Sequence, residues 1–98
     1  MQMEIEIDQR ARREIERIKH HAQLASKAIN WLEVEGFTPL EIIVQSERRA
    51  PIVRIALSTR CGWLKREYLA YKHEITATHV MWRCNVMGVR VQWTEQGN

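Results

Sequence analysis

Seven small or apolar residues, Ala11, Ile15, Ile18, Ala22, Ala25, Ile29 and Leu32, recur at alternating steps of four and three. That spacing sets all of them along one stripe of a single helix. No proline or glycine occurs from Gln9 to Glu35, and Gly36 with Pro39 soon after it supplies the stop. Asp8 suits the N-cap, where its carboxylate accepts from free first-turn amides and meets the positive end of the dipole. The pattern therefore predicts a helix over 8–36. At 1.5 Å per residue such a helix is ~40 Å long, against a radius of gyration of about 13 Å for a compact domain of this size. Part of it must overhang, pack on a second copy or lie along a partner. Ahead of it, Met3, Ile5 and Ile7 alternate with polar residues over 2–7, which fits a half-buried strand and a first helical turn equally well.

The stripe divides in two. Its C-terminal part, with Trp31, Val34 and Phe37 close by, is apolar enough to cover a sheet. Its N-terminal part is a narrow line of Ala11, Ile15, Ile18 and Ala22 flanked by Arg10, Arg12, Arg13, Arg17, Lys19, His20 and His21. A narrow seam with charged flanks is the pattern of a two-helix contact line. A solvated helix with Arg10–Glu14 and Arg12–Glu16 pairs, each contributing a few tenths of a kcal/mol, accounts for it equally.

Past Gly36 the period changes to two. Leu40, Ile42 and Val44, then Val53, Ile55 and Leu57, flank the Ser46–Pro51 break, giving a first hairpin over 40–58 with a basic loop. Thr59 to Gly62 is a turn. Leu64, Tyr68, Tyr71 and Ile75 fall at helical spacing, so a short helix is expected over 63–76, although the aromatic content also suits a strand. Val80, Trp82 and Cys84 with Val89, Val91 and Trp93, around Asn85–Gly88, make a second hairpin over 79–94. The expected fold is α+β in one domain over 1–98, with the long helix packed on a small four-stranded antiparallel sheet.

At 98 residues with 45% hydrophobic content, the chain can bury roughly 60–65% of its unfolded surface and fold without staples. No apolar run approaches the ~18 residues of a membrane span, and the N-terminal residues lack the layout of a secretion signal. We therefore expect a cytoplasmic protein with no membrane partner. In that compartment Cys61 and Cys84 stay reduced. The net charge of +3 and pI near 9.2 favour approach to nucleic acid or acidic protein surfaces.

No motif demands a particular reaction. His20, His21, Cys61, His73, His79 and Cys84 carry ligand atoms, but zinc ligands come in close chelating pairs and none is spaced so here; no metal or cofactor is expected. There is no glycine-rich phosphate loop and no acidic cluster suited to magnesium. Cys61 lies beside Arg60, a cation of the kind that favours a thiolate, with His73 and His79 downstream, but a buried or exposed turn cysteine is the plainer reading. The chain reads as a non-enzyme.

The surfaces left for a partner are more telling. If Val53, Ile55 and Leu57 with Val80, Trp82, Val89, Val91 and Trp93 face the helix, then Ile52, Arg54, Met81, Arg83, Arg90 and Gln92 form an outer face. Arginine and methionine are enriched at protein interfaces, and arginine also holds phosphates. With the overhanging helix, the candidate partner-binding residues are Arg10, Arg13, Ile15, Arg17, Ile18, Arg48, Arg49, Arg54, Met81, Arg83 and Arg90. The helix stripe also suits a homodimer. A second reading is a DNA- or RNA-binding protein using the same cations together with Lys65 and Arg66 beside Trp63.

In its long charged helix from Asp8 to Glu35 and its strand pair ending Val89-Arg90-Val91-Gln92-Trp93, the chain resembles the small accessory proteins of temperate bacteriophages that inhibit or redirect host machinery. Inhibitors of DNA-repair nucleases or of CRISPR systems are of this kind. Its basic charge departs from the acidic, DNA-mimicking type. The resemblance implies a stoichiometric binder of a host protein or protein complex, working in the host cytoplasm.

Overall fold

The computed structural model describes residues 2–45 and 49–97. Helix α1 spans Gln2–Val34, followed by strands β1 (Pro39–Ile43) and β2 (Ile52–Ile55), helix α2 (Cys61–Glu67), and strands β3 (Tyr71–Ile75), β4 (His79–Val86) and β5 (Val89–Gln96). The fold is α+β, as expected, with a long N-terminal helix and a short second one.

α1 starts earlier than the Asp8 cap predicts: residues 2–7 are helical, so the alternation of Met3, Ile5 and Ile7 belongs to a helix and not to a strand. Its end lies where the glycine places it. Gly36 adopts φ +90°, Phe37 N–H donates to the Leu32 carbonyl at 2.8 Å and Gly36 N–H to that of Glu33 at 3.1 Å. This is the paired bonding of a Schellman stop, and it turns Phe37 back into the core beside Leu32.

The sheet has five strands in the order β1-β2-β5-β4-β3. Its pairings are antiparallel except for β2 with β5, which run parallel at the centre. Two expectations are corrected here. The segment 63–76 is helical only in its first part: α2 ends at Glu67, Leu69 takes φ +52°, and Tyr71–Ile75 becomes a strand. The reason is an unpaired edge. β4 is eight residues long, and β3 occupies the side of it that β5 leaves open. The helical spacing of Tyr71 and Ile75 is coincidental. Secondly, the two hairpins join side by side through a parallel pair, because α2 carries the chain from β2 across to β3 at the far edge and β4 and β5 then fold back to meet β2.

The second hairpin closes through Met87 (φ +50°) and Gly88 (φ +82°), the two positive φ values of a type I′ turn. Val86 faces Val89, Cys84 faces Val91 and Trp82 faces Trp93 across it. These residues, with Val53 and Ile55, form the inner face, on which Ala25, Ala28 and Leu32 of α1 and Cys61 and Leu64 of α2 pack. Leu57 lies beyond β2 and is exposed, so it does not join them. Cys61 and Cys84 are buried free thiols.

α1 buries a line rotated from the one the spacing predicts. His21, Ala25, Ala28 and Leu32 are buried, with Leu24 packed against the core, while Ala22 is exposed and Val34 is 84% exposed. Leu24 lies over the β4–β5 turn, where a Cβ at Gly88 would be in ordinary contact, 3.6 Å from its Cδ2. Ile15, Ile18, Ala22 and Ile29 are left along one margin of the helix, beside the sheet instead of on it.

The overhang is present. The molecule measures 60 × 32 × 20 Å with a radius of gyration of 16.6 Å, and the 33-residue α1 is ~50 Å long. His21 is the first buried side chain along it among those described.

Candidate protein-interaction surface

The helix margin and strand β1 run beside each other. Ile29 and Glu33 of α1 line a groove of about 370 Å³ with Pro39, Leu40, Glu41 and Ile42 of β1. Further along, Arg17 Nη1 donates to the Gln45 carbonyl at 2.9 Å, so β1 runs antiparallel to α1 from Glu33 back to Arg17. Gln45 Nε2 in turn donates to the Ala50 carbonyl at 2.9 Å, which closes the β1–β2 connection.

Along this track the exposed side chains are apolar. Ile15 and Ile18 on the helix, and Leu40, Ile42 and Val44 on the strand side, are each between 41% and 49% exposed. Ile18 and Val44 are each one residue from the Arg17–Gln45 contact. β1 is also an edge strand, with only β2 bonded to it, so its other side presents unpaired peptide groups. A half-exposed apolar row beside an open strand edge is suited to receive an extended segment of another chain.

The expected site residues divide between two surfaces. Arg10, Arg13, Ile15 and Ile18 are exposed on the overhang. Arg17 is ion-paired with Glu14 as well as bonded to Gln45; Lys19 lies 3.8 Å from Glu16. These pairs, three residues apart, replace the four-residue pairs expected from sequence. Arg49 is exposed in the β1–β2 connection, and Arg48 lies outside the described residues.

Arg54, Met81, Arg83 and Arg90 do share the outer face of the sheet, as the alternation predicts: Arg54 and Arg83 each pair with Gln92, and Ile52 and Asn85 with Arg90. Yet this face is largely satisfied from within. Arg54 Nε donates to Glu41 Oε1 at 2.6 Å. Arg83 Nη2 donates to Gln92 Oε1 at 2.8 Å, and both residues are only 7% exposed. Met81 and Arg90 are half-buried. The arginines cover one another's flanks across adjacent strands, an outcome that alternation alone cannot reveal because it gives direction and not spacing.

A second hollow, of about 270 Å³, lies at the opposite edge between Lys65, Lys72, Trp82 and Glu95. Lys65 Nζ sits 4.1 Å from the Trp82 ring centroid and Lys72 Nζ 5.8 Å, but Lys65 is also paired with Glu95 at 2.7 Å. The cation most suggestive of base stacking is thus held by a carboxylate. Trp63 is engaged too: it packs with Trp31, Phe37 and Tyr68, with the Arg60 guanidinium 4.8 Å above its ring.

Among the described residues no group of three or more His, Cys, Asp or Glu is placed to hold a metal ion, and no helix is long and apolar enough to cross a membrane. Sequence reasoning missed Leu40 and Ile42 as surface residues. The available signal was the run Leu40-Glu41-Ile42-Ile43-Val44, apolar on both alternating sides and followed at once by the polar Ser46–Pro51 break, in a strand whose side chains are exposed on both sides. The chain matches no family model, no curated protein and no solved structure.

Proposed function

We propose that this α+β protein is a non-enzymatic protein-binding module that inhibits or redirects a larger protein assembly, its target being a host complex if the likeness to phage accessory proteins holds. The carrying observation is the apolar track of Ile18, Leu40, Ile42 and Val44 beside the open edge of β1. The partner supplies an extended apolar segment. Its backbone bonds to β1 and its alternate side chains enter the groove by Ile29. The outer arginine face, tied up by Glu41 and Gln92, is secondary.

Affinity capture from bacterial lysate with the tagged protein tests this. A discrete partner should persist through nuclease treatment and moderate salt, and Ile42→Asp, half-exposed in the wild type, should abolish capture while leaving the circular dichroism spectrum unchanged. Capture unaffected by Ile42→Asp would place the contact elsewhere.

The second reading, nucleic-acid binding, draws on the exposed Arg10, Arg12, Arg13 and Arg49. It requires capture to vanish with nuclease and affinity to fall steeply with salt, with the slope dropping by about one unit for each phosphate-contacting arginine removed.

A further inference from the structure

The outer face of the sheet carries a charge that its own chain does not answer. Arg83 on β4 is 7% exposed, as is Gln92 opposite it on β5. The Arg83 guanidinium donates from Nε at 3.3 Å and from Nη2 at 2.8 Å to the same Gln92 oxygen. Gln92 meets part of its hydrogen bonding and none of its charge. Among the described residues no carboxylate pairs with Arg83 or with Arg90, and a nearly buried cation without a counter-ion is costly to keep.

The open side of the guanidinium can be located. Among the described residues His21 Nδ1 is the one fully buried side-chain nitrogen or oxygen without a partner. Arg83 Nη1 makes no bond to those residues either, so it reaches the surface of the sheet.

The strand register brings two further arginines to the same place. Arg83 pairs with Gln92, Asn85 with Arg90 two residues along, and Gln92 on its other side with Arg54 of β2. Arg83 and Arg90 are thus diagonal neighbours on one face, a separation of about 7–8 Å that long side chains can span. Glu41 holds Arg54 at 2.6 Å. Two positive charges, on Arg83 and Arg90, are left side by side.

Such a pair calls for an anion, and its flanks decide which kind. Met81 stands next to Arg83 on this face of β4, and Tyr71 of β3 pairs with Arg83 and is 44% exposed. Tyrosine, methionine and arginine together are the composition of a protein contact. A nucleic-acid backbone is held by cations that project toward it, whereas Arg83 lies sunk among its neighbours.

We propose that this face receives an acidic segment of a partner protein, one carboxylate closing on the open side of Arg83 and a second on Arg90. The planar guanidinium suits a carboxylate, to which it presents two parallel N–H groups. The inference goes beyond the β1 contact, uses a different surface and does not rest on it.

Fluorescence anisotropy of a labelled hexaglutamate peptide with the full chain, in about 0.15 M salt, tests it. Saturable binding is expected. Arg83→Met and Arg90→Met should each weaken it roughly tenfold or more, while Arg10→Ala/Arg13→Ala on the overhang should leave it unchanged, as should Ile42→Asp. A second measurement separates a ligand site from a structural contact: exchanging an unanswered buried charge for an apolar side chain should leave the thermal midpoint unchanged or raise it. A midpoint lowered by Arg83→Met, together with intact binding in Arg90→Met, makes the arginine structural and overturns the proposal. So does an absence of saturation at millimolar peptide, or a loss of binding shared by the overhang variant. A single-stranded oligonucleotide that binds more tightly than hexaglutamate, and weakens at the same two arginines, overturns it in favour of nucleic acid. Capture through Ile42 would survive any of these failures, and hexaglutamate binding would survive the loss of that capture, so the two readings fall separately.

Discussion

At Cys84 a thiol takes an inward position between Trp82 and Val86 on β4, 1% exposed, and behaves as a small hydrophobe. Burial, with a smaller contribution from the nearby Cys61, pushes its pKa from an ordinary 9.0 up to about 12. The folded state therefore keeps the proton over a range in which the unfolded chain loses it. The associated stability is full below pH 9.0 and declines as pH rises toward 12. The stability advantage of the wild type over Cys84→Ala should shrink between pH 8 and pH 11, measured by urea unfolding at each pH. Cys84 should also resist alkylation at neutral pH until the protein is denatured. The inward role of Cys84 was legible from alternation. The burial of Arg83 and Gln92 was not: alternation gives the face a side chain takes, and not how closely its neighbours on adjoining strands cover it.

Among the elements, α1 was readable in its stop, and misread in its start and in its rotation. The four-three line through Ile15, Ile18 and Ala22 is the most regular in the sequence, but the face that packs runs through His21, Leu24, Ala25, Ala28 and Leu32. Periodicity records where apolar residues lie on a helix, and not which of two adjacent lines meets the sheet. Mutational cost should follow the packed line. Leu32→Ala removes a fully buried side chain and should cost about 2–5 kcal/mol, whereas Ile18→Asp should change monomer stability by about 0.5 kcal/mol or less. Chemical denaturation at low protein concentration checks both. A comparable loss at Ile18 would mean that the overhang is packed on its own chain. β3 was misread for a related reason: five residues that are all exposed carry little burial signal, and only the vacant side of β4 makes them a strand.

On the scale of the molecule, the class and the projecting helix could be argued from sequence, because length and breaker positions are enough for both. The strand order could not, because the parallel join of β2 to β5 links Ile52–Arg54 to Arg90–Gln92, residues far apart in the chain. That join makes the sheet indivisible. A chain cut after Gly88 keeps both helices and four strands by sequence, but loses the strand between β2 and β4. It should show no cooperative thermal transition; a sharp transition would mean that the first hairpin and α1 form a core of their own.

The same join gives the molecule a timetable. Leu32 waits, apolar side outward, until Trp93 has been added to the chain, an interval of about 3–12 s at ordinary synthesis rates. Throughout it, the nascent helix exposes Ala25, Ala28 and Leu32 together with the margin of Ile15 and Ile18, so chaperones meet two apolar lines during synthesis and only one afterwards. β5, the strand that joins the two halves of the sheet, is the one that withdraws the helix from their reach.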